Sequence, residues 1–365
     1  MNPLRIISEA VENIKQNEAK RVDAVKEILA KKYSKIDFDT GSKNCLLEDK
    51  LVFPIAEHTL NSRIAAVDSG FVGKNLYSFD LLFIRTAGVL FTYKNNILER
   101  AAYYPEMFSF PKPIFINGAL QLDESSVSRS LYRLFEEIGL AKEIIEKEKP
   151  EYCLIDGSII PQHADKPRKD SKVTNSYSKV ISLFESLYKA AEDNGTILIG
   201  CIEDSRGSRF REIIQQNFVS ELNKPRLDDC YDSVLLDSLL KEKERTSAFH
   251  YTNNIEMHPI LSDFNEKYSK AVNVCYLKPS KYDRALRIEF LSNERNEKLT
   301  EFVDKISPVI CQLSSLHREY AFPSPLIEAD LRAGLNPDEI EFVFNKIADK
   351  LGNNFRLMRR DSRPF

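Results

Sequence analysis

Apolar positions along this chain recur at two spacings, and the switches between them outline its elements. Between residues 4 and 35, Leu4, Ile7, Val11, Ile14, Val22, Val25, Ile28 and Leu29 keep close to helical spacing with Lys and Glu between them, predicting an amphipathic N-terminal helix or helix pair. Strand-like runs follow at 63–67, 81–86 and 88–93, and Asn95-Asn96 supplies a turn before a fourth at 97–103. Their short connections predict an antiparallel meander. Over 125–147 the helical period returns, with Leu131, Leu134, Phe135, Ile138, Ala141 and Ile145 on one face. This helix leads into the apolar run Tyr152-Cys153-Leu154-Ile155, then an exposed lysine-rich loop at 163–172, a helix at 176–194 and a buried strand at 196–202. Further on, the pattern predicts a helix at 228–240 and a hairpin of 271–277 and 285–290 joined through Lys278-Pro279-Ser280-Lys281. Helices at about 294–319 and 337–351 complete the chain, separated by Phe322-Pro323-Ser324-Pro325 and the segment 326–335. Strands alternating with helices in the middle of the chain imply a mixed α/β sheet with helices packed on its faces. No internal repeat or low-complexity tract interrupts this order.

Composition narrows the functional classes. A chain of 365 residues, 42% hydrophobic and 29% charged, can bury a full core and is not disordered. Its net charge of −3 gives no global basic signature and counts modestly against a general DNA-coating protein, so any nucleic-acid contact must come from a local groove. The six cysteines (Cys45, Cys153, Cys201, Cys230, Cys275 and Cys311) are dispersed without a C-x-x-C pair and read as buried thiols in a reducing compartment. No run is long enough to span a bilayer, and the N-terminus has no signal-peptide core, so the expected location is cytoplasmic.

Two apolar runs end alike, in Ile64-Ala65-Ala66-Val67-Asp68-Ser69-Gly70 and Tyr152-Cys153-Leu154-Ile155-Asp156-Gly157-Ser158. A carboxylate at a strand end is rigidly held yet reachable, and the small residues after it let the chain turn and a metal ion or phosphate approach. Each motif alone is also ordinary turn chemistry. Two of them on separate strands suggest a divided acidic metal site. Phosphodiester hydrolysis at neutral pH needs an activated water and relief of charge on the leaving oxygen, which paired divalent cations supply. A carboxylate site without clustered cysteines favours magnesium or manganese over structural zinc. A third carboxylate is available where Glu136 and Glu137 adjoin on the 125–147 helix. With Ile138 at the centre of the apolar face, Glu137 lies about 100° away and Glu136 almost opposite, so Glu137 is the better candidate, a solvated helix charge being the alternative.

The order of these motifs resembles the NurA family of archaeal and bacterial DNA-end-processing nucleases over most of the chain. The matching elements are Ala66-Val67-Asp68-Ser69-Gly70, the glutamate-bearing helix, Leu154-Ile155-Asp156-Gly157-Ser158, the strand ending in Glu203-Asp204-Ser205-Arg206, the tyrosine of Val274-Cys275-Tyr276-Leu277-Lys278, and Pro323-Ser324-Pro325-Leu326-Ile327-Glu328-Ala329-Asp330. The resemblance implies an RNase H-like mixed sheet flanked by helices, with helical N- and C-terminal additions: a helical segment over 1–40 and a nuclease domain over 41–365. It implies manganese-dependent DNA cleavage, with magnesium as an alternative, by 5′→3′ exonuclease and single-strand endonuclease activity. It further implies a homodimer that resects DNA ends in double-strand break repair with a HerA-type hexameric ATPase. Position by position, Asp68, Glu137 and Asp156 correspond to metal-binding carboxylates and Tyr276 to an active-site tyrosine. The late motif departs from the family, having Asp330 where a histidine usually follows Glu-Ala; a carboxylate binds a hard cation but cannot act as an imidazole base. Asp330 therefore joins the candidate ligands. The first motif reads Asp-Ser-Gly rather than the usual Asp-Gly-Ser, a swap that keeps both residues small.

Two other functions compete with this one. Nucleotide-handling proteins on related sheets use similar aspartate turns, but only 12 glycines and no P-loop or G-x-G-x-x-G argue against them here. A catalytically weak interaction subunit of the translocating ATPase complex is the other rival, kept alive by Asp330. Arg206, Arg209, Arg211, Lys278, Lys281, Arg284 and Arg287 surround the late strands and are candidate phosphate contacts. Arg356, Arg359, Arg360 and Arg363 form a basic tail outside the site. The five histidines (His58, His163, His250, His258 and His317) show no metal-ligand spacing.

Overall fold

In the computed structural model, which describes residues 3–36, 46–116 and 120–352, the N-terminal periodicity forms one helix, α1 (Pro3–Lys31). The helices predicted at 125–147 and 176–194 are α2 (Leu122–Glu148) and α3 (Thr174–Asn194). A helix without a sequence prediction, α4 (Arg209–Asn217), precedes α5 (Asp232–Leu239), which is shorter than expected, and the single turn α6 (Glu266–Ser269). The segment predicted as helix to residue 319 ends earlier, as α7 (Asn296–Leu313). What reads in sequence as a separating segment is helix α8 (Ser324–Ala333), followed by α9 (Pro337–Leu351). Pro325 starts α8 rather than breaking it, since proline in the first turn has no hydrogen bond to lose, and Leu326, Ala329 and Ala333 bury one face. Cys45 and the basic tail lie outside the described residues.

The strands are β1 (Val52–Pro54), β2 (Arg63–Asn75), β3 (Asp80–Lys94), β4 (Ile97–Tyr104), β5 (Lys112–Ile116), β6 (Tyr152–Asp156), β7 (Ile197–Ile202), β8 (Glu244–Thr246), β9 (Phe249–His250), β10 (Val272–Lys278) and β11 (Leu286–Leu291). They form one mixed sheet in the order β1-β8-β10-β11-β7-β6-β2-β3-β4, with β5 on β3 and β9 on β10. The antiparallel β2-β3-β4 meander flanked by β6 and β7, each parallel to its neighbour, is the RNase H-like core. Two boundaries differ from the sequence pattern. β3 is one strand where two are expected, and β2 continues past Asp68 to Asn75, because the two pair without interruption from Arg63–Thr92 to Asn75–Asp80. An unbroken ladder satisfies every backbone group that a break would leave open.

Alternate residues of the central strands feed opposite cores. Ala65, Val67, Cys153 and Ile155 pack against α2 and α3, whereas Ile64, Ala66, Tyr152 and Leu154 pack against α7 and α8. A third cluster joins α1, α4 and α5 to β9 and β10 through Ile28, Phe210, Leu236, Phe249 and Val274. The described cysteines sit within these cores. Burial pushes the Cys153 thiol up to about 12, which leaves it inert. Among the described residues no helix is long and apolar enough to cross a membrane.

Candidate functional site

The parallel β2–β6 ladder has its last pair at Val67–Ile155, so Asp68 and Asp156 are the next residues on two adjacent strands. By strand alternation both project to the face of Ala66 and Leu154, the face covered by α8. Asp68 is buried and Asp156 half-buried. Asp330, exposed on α8, comes within hydrogen-bonding reach of Asp68. Gly70 makes this approach possible: a Cβ there would lie 2.6 Å from the carbonyl oxygen of Ala333 on α8. Gly157 has φ +106, a left-handed backbone that a larger residue resists, and turns the chain away directly after Asp156. Glutamate 203, just beyond β7, adds a further charge acting on Asp156.

Electrostatics tie these groups together. Burial pushes the Asp156 carboxyl up to about 8, with Asp68, Glu137, Asp330 and Glu203 repelling its charge in addition. Burial also raises Asp68, and Asp330 adds to that rise. Glu137 approaches from α2, on the other side of the sheet. Burial pushes it up to about 7 against the opposing pull of Arg133 and Ser69. The Arg133 Nη1 donates to Glu137 at 2.6 Å and the Ser69 hydroxyl donates to the same oxygen. Its neighbour Glu136 is turned outward and paired with Lys112 at 2.6 Å. Among the described residues no three His, Cys, Asp or Glu side chains converge closely enough to form a ready metal cage. An all-oxygen, mutually repelling donor set of this kind suits a hard divalent cation.

Tyr276 is placed elsewhere. It is fully buried on β10, where its hydroxyl donates to Asp232 at 2.8 Å and lies 3.4 Å from the Ser205 hydroxyl. The candidate phosphate contacts also divide. Arg287 is buried on Glu289 at 2.8 Å and Lys278 on Asp237 at 2.6 Å, whereas Arg206, Lys281 and Arg284 are exposed. Glu289 also accepts from the Ser158 hydroxyl at 2.6 Å and the Ile159 N–H at 3.2 Å, pinning the turn that follows Asp156. Sequence reasoning passed over two groups at the cleft. Glu203 follows its strand as Asp156 follows its own, so the same pattern could have found it. Tyr320, which lines one cavity with Glu203, carries no local signal.

The NurA domain profile matches residues 62–334, nearly all of the sheet together with α8. The chain belongs to the NurA family. A comparison with curated proteins gives no match. Among solved structures, the fold is similar to the NurA nuclease from Sulfolobus solfataricus, with TM-score 0.55 and 16% identity over 96% of this chain and 98% of that one. It is also similar to a NurA bound to dAMP and manganese, with TM-score 0.55 and 11% identity over 97% of this chain and 98% of the other.

Proposed function

We propose that this NurA-family chain is a divalent-metal-dependent deoxyribonuclease working at the Asp68, Asp156 and Asp330 cleft, with manganese as its cation and magnesium as a substitute. The observation that carries the reading is the arrival of three carboxylates from β2, β6 and α8 on one face, where Asp330 disfavours the ionisation of Asp68 and both disfavour that of Asp156. The nuclease name of one structural relative and the dAMP and manganese bound by another agree with it. A bound cation would neutralise charge on the phosphate and lower the cost of activating a water. Asp68 and Asp156 hold it from rigid strands, Asp330 from the exposed helix face. Glu137, braced by Arg133 and Ser69, supplies negative charge from below. Tyr276 supports the site at a distance, by fixing Asp232 and the loop after β7. The same reading extends to 5′→3′ and single-strand cleavage of DNA ends by a cytoplasmic homodimer working with a HerA-type ATPase.

End-labelled single- and double-stranded DNA incubated with the full chain and manganese, magnesium or EDTA tests this. Cleavage with either cation and none with EDTA is expected; intact DNA under every condition, also with the ATPase partner present, would refute the enzyme.

The raised carboxyls give a pH signature. Their folded values of about 8 for Asp156 and about 7 for Glu137 lie above their unfolded ones, so their contribution to metal-free stability is present below about pH 4 and lost as pH rises through 7 and 8. Cation binding requires the ionised forms and offsets that loss. Thermal unfolding with and without magnesium is therefore expected to show a cation-induced rise in Tm that grows from pH 6 to pH 8.5. A rise independent of pH would place the cation elsewhere.

A further inference from the structure

The two small residues after Asp68 serve opposite faces of the sheet. Gly70 faces α8, where a Cβ would meet the Ala333 carbonyl oxygen at 2.6 Å. Ser69 faces α2, and its hydroxyl donates to the Glu137 carboxylate across that interface. Exchanging the two would push a side chain into α8 and leave α2 without this donor, so the order Ser69-Gly70 is set by what each face receives. Ser69 and Glu137 are both buried, a setting in which a hydrogen bond to a charged group is strong.

Arg133, one helical turn before Glu137 on α2, donates its Nη1 at 2.6 Å to the same oxygen, Oε2, that the Ser69 hydroxyl uses. Two donors therefore converge on one oxygen, and Oε1 stands outside both bonds. A carboxylate held through one oxygen keeps its direction and has the other to offer. One donor belongs to α2 itself and the other to β2, so the pair ties Glu137 to the strand that carries Asp68. The bond is also selective. Thr86, directly opposite Ser69 in the β2–β3 ladder, has a buried hydroxyl with no hydrogen-bond partner among the described residues, and Ser69 bonds to the helix rather than to this cross-strand neighbour. α2 lies close along this stretch: at Gly73, further along the same face of β2, a Cβ would sit 2.6 Å from Arg129 Nη1.

We propose that Ser69 is a positioning residue for the cleavage reaction: with Arg133 it fixes the Glu137 carboxylate beside the strand of Asp68, so that this charge is in place when a divalent cation binds. This rests on the nuclease reading and deepens it, adding the side chain on which the carboxylate from α2 depends. Ser69 acts through Glu137. Outer partners of this kind orient the groups that hold a cation, and losing one typically weakens metal affinity or activity about 10- to 100-fold.

The test measures two properties of the full chain. Metal-free protein is titrated with manganese, the free cation being followed by electron paramagnetic resonance, and steady-state cleavage of a single-stranded oligonucleotide is followed in saturating manganese. Ser69→Ala is expected to weaken manganese binding about tenfold and to lower kcat, with KM for DNA unchanged. Added to Glu137→Gln, the same substitution is expected to change the affinity by less than about twofold, because the carboxylate through which Ser69 acts is gone. Thr86→Val removes the hydroxyl opposite and is expected to bind manganese like the wild type. A merely structural Ser69 would lower the melting temperature in EDTA and leave the affinity of the folded chain as it is. Wild-type affinity in Ser69→Ala, or the same loss in the Glu137→Gln background or in Thr86→Val, overturns the assignment. Absence of cleavage by a wild type that binds manganese counts against the nuclease reading alone, since the affinities still decide the role of Ser69; a wild type that binds no manganese overturns both.

Discussion

Replacing Asp156 with asparagine is expected to abolish cleavage and, at the same time, to stabilise the metal-free protein at alkaline pH. The lost function follows from removing a ligand charge where a divalent cation would contribute several kcal/mol to the transition state, so kcat should fall about a thousandfold. The gained stability follows from the cluster itself. Asp156 is pushed up to about 8 by burial and by Asp68, Glu137, Asp330 and Glu203, and a neutral amide of the same shape removes that repulsion. Its sign is specific: the melting temperature should rise relative to wild type above pH 8 and coincide with it below about pH 4, where the wild-type carboxyl is protonated in both states. Nuclease assays and melts across pH read both halves. Undiminished cleavage, or a variant less stable than wild type at high pH, would show that Asp156 belongs to no such cluster. A gain in stability accompanied by loss of activity is what separates a functional carboxylate from a structural one.

The second large effect is expected at Glu289, which touches no substrate. Glu289 holds the buried Arg287 through Nε at 2.9 Å and Nη2 at 2.8 Å, and Ser158 and Ile159 from the turn after Asp156. Truncating it to alanine leaves a buried guanidinium without its carboxylate, a change that costs about 3–5 kcal/mol. The Arg287→Met/Glu289→Leu pair removes both charges and fills the space, so it should recover most of that loss. Urea unfolding of the single and paired variants measures this. Cleavage should remain impaired in the stable pair, because the turn after Asp156 has lost two hydrogen bonds. If Glu289→Ala unfolds like wild type, the network is not holding that turn.

Much of this site was legible in the residues, for identifiable reasons. Asp68 and Asp156 stand out because buried strands make apolar runs and small residues follow at once. Helical periodicity separated Glu137, which is 1% exposed, from Glu136, which faces Lys112. Other features depend on pairing between distant segments, which local pattern does not encode. β2 runs beyond Asp68 because β3 supplies partners as far as Asp80, so Asp68 lies beside the end of a neighbouring strand rather than at the end of its own. Pro323 and Pro325, at the start of α8, resemble a breaker, although the buried spacing of Leu326, Ala329 and Ala333 carried the helix signal. Tyr276 sits in an apolar strand, and only its partner Asp232, 44 residues away, explains its buried hydroxyl. Tyr320 lines a cavity with Glu203 from a loop, where no periodicity marks it.

The central claim is that the three carboxylates on the α8 face form a divalent-cation site. It is tested most directly by a crystal of the full chain soaked in manganese at pH 8, with data collected at the manganese absorption edge. An anomalous peak between Asp68 and Asp156, within ligand distance of both and absent in Asp156→Asn, is the expected result. Manganese bound only at other positions, with these two aspartates unliganded, would contradict it.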